Sequence, residues 1–348
     1  MFKNDIMIFV RPVIATIISL ILGLLLTSFA GENPWHIFTI FAQSGFGSAY
    51  DFGMTLTYSI PLILTGLSVA FAFKAGLFNI GAEGQLTIGA LATALFCALV
   101  PLPGFIAPII AGLVAACAGG IWGGIAGYLK AKRGAHEVII TIMLNFIAAG
   151  ISSYVAVYLL KDPNTQNPQT WPILHNYVLN QYQFFKGAPV TAALFLSVLI
   201  SFVCWLFLYR TPFGFEIRAV GENERASSTA GISIFRTQII TMFIAGALAG
   251  LVGVGEVLGR SGCFKLDFSP GYGFTGIAVA FLGRGNPIAI IFSGLLFGAI
   301  QKGASDLEIY TQNVTSDLAL VLQAFIILVV SADGLWEKFL PKKKLKLL

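Results

Sequence analysis

The sequence predicts an all-α polytopic membrane protein of about ten transmembrane spans, on three observations. Its 348 residues are 57% hydrophobic, with a mean hydropathy of +0.84. Apolar runs of about 18 residues or more recur along the chain, the length a helix needs to cross a bilayer core. The 38 glycines are the third observation, because small residues let helices in lipid approach closely. Only a helix satisfies its backbone groups within one segment in lipid, so the runs read as helices. A large soluble α core would not repeat uncharged spans of this length.

The elements follow in order. The first span runs from about 12 to 30, after Lys3 and Arg11. Its apolar run is long and no clear A-x-A site follows, so it reads as an uncleaved helix rather than a signal peptide. Further spans are expected near 52–73, 77–98, 105–129, 138–160, 189–209 and 237–257, then a short one near 272–283, and finally 287–302 and 317–333. Ten spans put both termini on one side. Sixteen of the 21 Lys and Arg residues fall on that side, and five (Lys161, Lys186, Arg260, Lys265, Lys302) on the other. The positive-inside rule therefore places both termini in the cytoplasm. The formal net charge of +5 comes largely from that side, so nucleic acid is not implied as a partner. Of the four cysteines, three lie in apolar spans and none shows paired spacing, which indicates neither a disulfide framework nor a metal site.

Two segments make poor simple spans. In KAGLFNIGAEGQLTIGA (74–90), Asn79, Glu83 and Gln85 sit among glycines at an apparent membrane boundary. In SPGYGFTGIAVAFLGRGNP (269–287), about a dozen apolar residues lie between Gly-rich breaks. Both read as broken or re-entrant helices, tolerated where protein or a cavity surrounds them. One falls in each half of the chain, at five spans to a half, so an inverted 5+5 repeat with a transport pathway at the breaks is expected.

The central region 210–236, RTPFGFEIRAVGENERASSTAGISIFR, is a polar island between two apolar runs. A plain hydrophilic linker would be rich in Ser, Pro and Lys. This one reads as a short helix, Glu222 to Ala230, bounded by Gly221 and Gly231, whose small residues Ala226, Ser227, Ser228 and Ala230 admit a close partner. The topology places it in the cytoplasm as a docking surface.

The intramembrane polar residues each have two readings. A carboxylate such as Glu83 costs several kcal/mol near an apolar span unless paired, hydrated or functional. It reads either as pathway lining or inner gate, with Asn79 on the same helical face, or as a cap on a broken helix paired with Lys74. Gln85 joins the pathway set, and Asn145 either lines the path or bonds across helices. Glu256 and Gln301, near outer span ends, read as hydrated. His136 and Glu137 do not begin H-E-x-x-H, because Ile140 stands where the second His belongs, so zinc is excluded there. Gly119, Gly123 and Gly127, with Gly246 and Gly250, form G-x-x-x-G patterns that read as helix packing. Among the 30 Phe and other aromatics, a few such as Phe73, Phe78 or Trp122 could stack on a planar ligand, and the sequence does not select among them. There is no G-x-x-x-x-G-K-[ST] and no catalytic Ser/His/Asp or Cys/His grouping, so the energy for active transport would come from an ion gradient or another subunit.

KAGLFNIGAEGQLTIGA, HEVIITIMLN, GFEIRAVGENERASSTAGI and GIAVAFLGRGNP together resemble permease subunits of bacterial ABC importers in the ribose/branched-chain amino acid permease superfamily, nearest its simple-sugar and purine-nucleoside branch. The likeness runs in order over about 55–300. It implies one permease domain over 1–348, in the bacterial inner membrane, with 210–236 as its cytoplasmic coupling loop. The implied partners are a cytoplasmic ABC ATPase, which carries the ATP, a second and often different permease, and an extracytoplasmic solute-binding lipoprotein. This chain would bind no cofactor itself. Arg218, Ala219, Gly221, Glu222 and Gly231 match the family's coupling pattern. Asn223, Glu224 and Arg225, followed by Ala226, lie in its more variable part. The expected solute is a nucleoside, with a sugar such as ribose or galactose as the alternative. An ion-coupled secondary transporter would explain the broken helices but leave the central loop without a role, and a channel or scaffold protein would explain neither.

Overall fold

The computed structural model of the chain describes residues 2–311, 314–315 and 317–331. Among these residues there is no β-strand, only two isolated bridges in the 161–170 and 265 region. Thirteen α-helices follow one another: α1 (Phe2–Thr27), α2 (Pro34–Phe46), α3 (Ala49–Phe73), α4 (Ala82–Leu99), α5 (Ala107–Arg133), α6 (Glu137–Tyr154), α7 (Ala193–Arg210), α8 (Pro212–Glu222), α9 (Glu224–Thr229), α10 (Ile234–Gly250), α11 (Tyr272–Leu282), α12 (Pro287–Tyr310) and α13 (Leu318–Ser331). Among the described residues seven helical stretches are long and apolar enough to cross a membrane, where α6 and α10 count with the π-helical turns that extend them to Leu159 and Ser261. Shorter apolar stretches lie at Thr16–Thr27, Tyr272–Leu282 and Leu320–Val330.

Several boundaries differ from expectation. The helix expected from 77 begins at Ala82 instead. Gly76 turns the chain at φ +71°, and the Leu77 N–H donates back to the Ala72 carbonyl, a glycine stop that ends α3 and leaves 77–81 non-helical. The span expected to stop near 302 continues to Tyr310, and its charged residues Lys302 and Asp306 are paired within the protein. Lys302, buried, pairs with Asp306 one turn on and lies 3.7 Å from Asp51 of α3. Glu256, expected to be hydrated, is buried and paired with Arg260 at 3.4 Å. Gln301 accepts from Gln323 of α13 at 3.5 Å. Helix α2 was not expected at all. The last two residues of the tenth expected span, and the basic residues from 338 onward, lie outside the described residues.

The centre of the bundle is α3, buried along most of its length and packed against α10, α11 and α12. Beside it α5 and α10 run antiparallel in close contact, as the glycine patterns anticipate. A methyl group on Gly119 would lie 2.4 Å from the Gly246 carbonyl oxygen, and one on Gly250 would lie 2.3 Å from that of Ala115. Those backbones meet because no side chain separates them. Helices α5, α6 and α7 turn large apolar side chains outward, among them Ile109, Phe146, Ile147 and Phe202, which is the surface a lipid environment accepts. At one end of the bundle, residues 161–188 fold over the helix ends, anchored by the buried Tyr177, whose hydroxyl donates to the Val100 carbonyl at 2.7 Å. At the opposite end, α8 meets the turn between α3 and α4, and α9 packs on α8 and α10.

Candidate functional site

The two interrupted segments come together. Helices α4 and α11 abut at their N-termini, so closely that a methyl group on Gly273 would lie 2.2 Å from the Glu83 backbone nitrogen. Neither N-terminus is capped by its own N-cap residue, Gly81 or Gly271, since glycine has no side chain to offer. Both are capped from elsewhere. Glu83 Oε2 accepts from the Gly273 N–H at 2.7 Å, and Asn145 Oδ1 on α6 accepts from the Gly84 N–H at 2.8 Å. Asn145 Nδ2 also donates to the Ile80 carbonyl at 3.0 Å, satisfying the backbone that the non-helical stretch leaves open. One half-buried carboxylate thus lies between two helix N-termini, whose partial positive charge favours it.

Asn79 and Glu83 do not share a helical face, because Asn79 precedes the helix. It clasps Gln85 instead. Asn79 Nδ2 donates to Gln85 Oε1 at 2.8 Å, and Gln85 Nε2 donates to Asn79 Oδ1 at 2.9 Å. Asn79 also donates to Ser68 Oγ on α3 at 3.0 Å and accepts from the Gly81 N–H at 3.1 Å. The pair is 0% and 1% exposed, and every amide nitrogen and oxygen of the pair is hydrogen-bonded within the protein. Glu83 has no ion pair with Lys74 among the described residues. The Lys74 side chain lies beside Gly285, with its Cε 3.4 Å from where a Cβ there would stand.

Sequence reasoning missed three partners. Thr65 of α3 donates to the Tyr272 carbonyl at 3.0 Å, locking α11 onto α3. Phe281 closes a three-ring cluster with Phe73 and Phe78, with centroids 5.6 and 6.2 Å away. Trp122 is not among these rings. Ser68 completes the amide clasp. Long-range contacts of this kind leave no local sequence pattern.

The polar island forms two helices rather than one. Asn223 is extended (φ −160°) and breaks the expected helix 222–230, so Glu222 ends α8 and Glu224 begins α9. The reason is local: the Asn223 side chain accepts from the Ala226 N–H at 3.0 Å, an N-cap in place of a helical turn. Gly231, left-handed at φ +86°, ends α9 as expected. Arg218 faces inward; its Nε donates to the Leu208 carbonyl at 3.0 Å and its guanidinium lies over Tyr209. Ala219 is half-buried and its carbonyl accepts from the Asn223 N–H. Gly221 presses against the α3–α4 turn. Glu224 accepts from Gln238 of α10 at 3.0 Å. Gly221, Glu222, Asn223, Glu224, Arg225 and Ala226 are all exposed. The result is an exposed knuckle whose base is fixed to α7, α10 and the α3–α4 turn.

Over residues 52–331 the chain matches the family described as branched-chain amino acid transport system / permease component. It is 36% identical over 328 residues, 92% of each chain, to the guanosine ABC transporter permease protein NupP of Bacillus subtilis. It is 35% identical over 342 residues to the nucleoside ABC transporter permease protein NupB of Lactococcus lactis subsp. cremoris, covering 96% of this chain and 93% of that one. A glucose ABC transporter permease protein of Haloferax volcanii is 34% identical over 299 residues, 83% of this chain and 78% of that one. The chain belongs to this family of transport-system permeases and is an integral membrane protein.

Proposed function

We propose that the chain is the permease of an ATP-driven ABC importer that carries nucleosides, purine nucleosides foremost, across the bacterial inner membrane by alternating access. The observation that carries the solute class is the near full-length similarity to guanosine and nucleoside permeases. The geometry supports it. In a permease with broken helices, half-helix N-termini commonly receive an anionic group of the solute. Here the protein's own Glu83 carboxylate lies at the two abutting N-termini. An amino acid's carboxylate would meet like charge there, whereas a neutral nucleoside would not. At the other end of α11 the rings of Phe73, Phe78 and Phe281, with Phe73 half exposed, offer aromatic surface to a base. A simple sugar is the second reading, favoured by the glucose-named relative.

In this reading the ten-span topology, with two inverted halves and cytoplasmic termini, brings the knuckle at α8–α9 to the cytoplasmic ATPase. The ATP is bound and hydrolysed there. A second, homologous permease completes the pathway, and an extracytoplasmic lipoprotein delivers the solute. Glu83, with Asn79, Gln85 and Asn145 behind it, holds the shape of the gate. Nucleotide-driven closure of the ATPase moves the knuckle as a rigid body and exchanges outward- for inward-facing states.

The test is uptake of radiolabelled guanosine into cells carrying this permease with its partner subunits, with and without a hydrolysis-competent ATPase. ATP-dependent uptake competed by nucleosides but not by ribose, galactose or amino acids is expected. Competition by free sugar alone would transfer the assignment to the second reading. Uptake that ignores the ATPase and collapses with the proton gradient would overturn the mechanism.

A further inference from the structure

The knuckle and the two broken segments converge on three residues, Lys74–Ala75–Gly76, the turn between α3 and α4. On one side of this turn stands Gly221, the penultimate residue of α8. A methyl group on Gly221 would lie 2.2 Å from the Lys74 carbonyl oxygen and 2.9 Å from the Gly76 backbone nitrogen. The approach is reciprocal, since a Cβ on Gly76 would meet the Gly221 Cα at 3.4 Å. On the other side stands the turn that ends α11, where the Lys74 side chain lies along Gly285. That turn and the α3–α4 turn have the same construction. In each, the N–H after the left-handed residue returns to a carbonyl five positions earlier, from Leu77 to Ala72 and from Gly285 to Ala280. Positive φ is adopted at Gly76, Arg284 and Gly285. The ring cluster of Phe73, Phe78 and Phe281 binds the two turns together from the apolar side.

These contacts have a mechanical consequence. Backbone in van der Waals contact with backbone has no side-chain rotamers to absorb a displacement, so a shift of α8 is passed on rather than damped. Three residues beyond Gly76 is Asn79, held by the buried clasp to Gln85 in the first turn of α4. One helix beyond Gly285, at the far end of α11, is Gly273 on the Glu83 carboxylate. The same small turn therefore connects the exposed knuckle to both sides of the Glu83–Gly273 junction.

We infer that the contact of Gly221 with the Lys74–Gly76 turn, continued by Lys74 onto Gly285, is the link through which the ATPase-docking knuckle moves the broken helices α4 and α11. In this link Gly221 and Lys74 act as positioning residues. The inference rests on the importer reading of the preceding subsection. It goes beyond that reading in separating two roles within the loop, with Gly221 transmitting and the exposed Glu222, Asn223, Arg225 and Ala226 docking.

The test uses the whole transporter in proteoliposomes and reads three quantities: ATPase co-purification, ATP hydrolysis and guanosine taken up per ATP hydrolysed. Gly221→Ala forces the knuckle off the turn while leaving the exposed side chains of Glu222, Asn223, Arg225 and Ala226 unchanged. The expected result is normal co-purification, retained hydrolysis, and a fall of about tenfold in guanosine moved per ATP, within the usual range of coupling between sites. Lys74→Ala keeps the backbone contact but removes the arm to Gly285. It should lower the same ratio and spare docking, and it decides the matter alone if Gly221→Ala does not fold. An unchanged ratio in the variants would overturn the link. Loss of ATPase co-purification in Gly221→Ala, with uptake and hydrolysis falling together, would also overturn it, because Gly221 would then belong to the docking surface. Failure of the importer reading is distinguishable, since the unmodified transporter would show no ATP-dependent uptake before any variant is made.

Discussion

Replacing Asn79 with alanine separates a residue that holds the gate from one that touches the solute. Asn79 is fully buried and makes four hydrogen bonds, to Ser68, to both amide atoms of Gln85 and to the Gly81 N–H. Truncation leaves Gln85 Oε1, Gln85 Nε2 and the Gly81 N–H without those partners in a site closed to solvent. Each orphaned buried group costs about 1–3 kcal/mol, so even the low end gives a loss of about 3 kcal/mol. In a protein of this size that corresponds to an apparent Tm lower by on the order of 5 °C. Adding Gln85→Leu removes two of the three orphans together with their partner. The double variant should therefore be less destabilised than the sum of the singles by about 2 kcal/mol, a coupling that only contacting residues show. Thermal unfolding of the purified permease in detergent, followed by intrinsic fluorescence, measures all four corners of the cycle. Asn79→Ala costing under about 1 kcal/mol, or strictly additive singles, would refute the clasp. A raised KM for guanosine with stability unchanged would instead put Asn79 on the solute path.

Four further substitutions probe the same architecture. Asn145→Ala strips the Gly84 N–H and the Ile80 carbonyl of their partners, and should lower stability by about 1–3 kcal/mol in the same unfolding assay. A neutral result would place water at that helix end. Glu83→Gln keeps an acceptor for the Gly273 N–H but removes the charge between two helix N-termini, an effect of about 1 kcal/mol. The variant should assemble normally and change the rate of uptake; unaltered kinetics would make Glu83 a structural cap only. Gly246→Leu drives a side chain into the Gly119 carbonyl, 2.2 Å from the new Cβ, whereas Gly150→Ala enters open space. Fluorescence-detected size exclusion should show the first variant lost or aggregated and the second unaffected, and equal behaviour would refute the backbone packing of α5 on α10.

The amino-acid sequence by itself determined the class of structure. Span-length apolar runs, the glycine spacing of α5 and α10, and the two Gly-rich interruptions are local, one-dimensional signals. Each carries its physical reason within a window of about 20 residues. The polar island was legible for the same reason, as was the stop at Gly231, because only glycine takes that left-handed turn without strain. The tertiary structure decided what those interruptions do. Asn79 and Gln85 look like pathway amides in sequence, but pairing across a non-helical stretch turns them into a buried clasp. Glu83 finds its partner 190 residues away, at the Gly273 N–H. The span expected to end near 302 runs on to Tyr310, with Lys302 paired to Asp306 and approached by Asp51 from another helix. Asn223 alone could have been read correctly, since Asn ahead of a short polar helix is a common N-cap. The rest could not, because the cost of a buried polar group is set by the partner that satisfies it, and only folding brings that partner into contact.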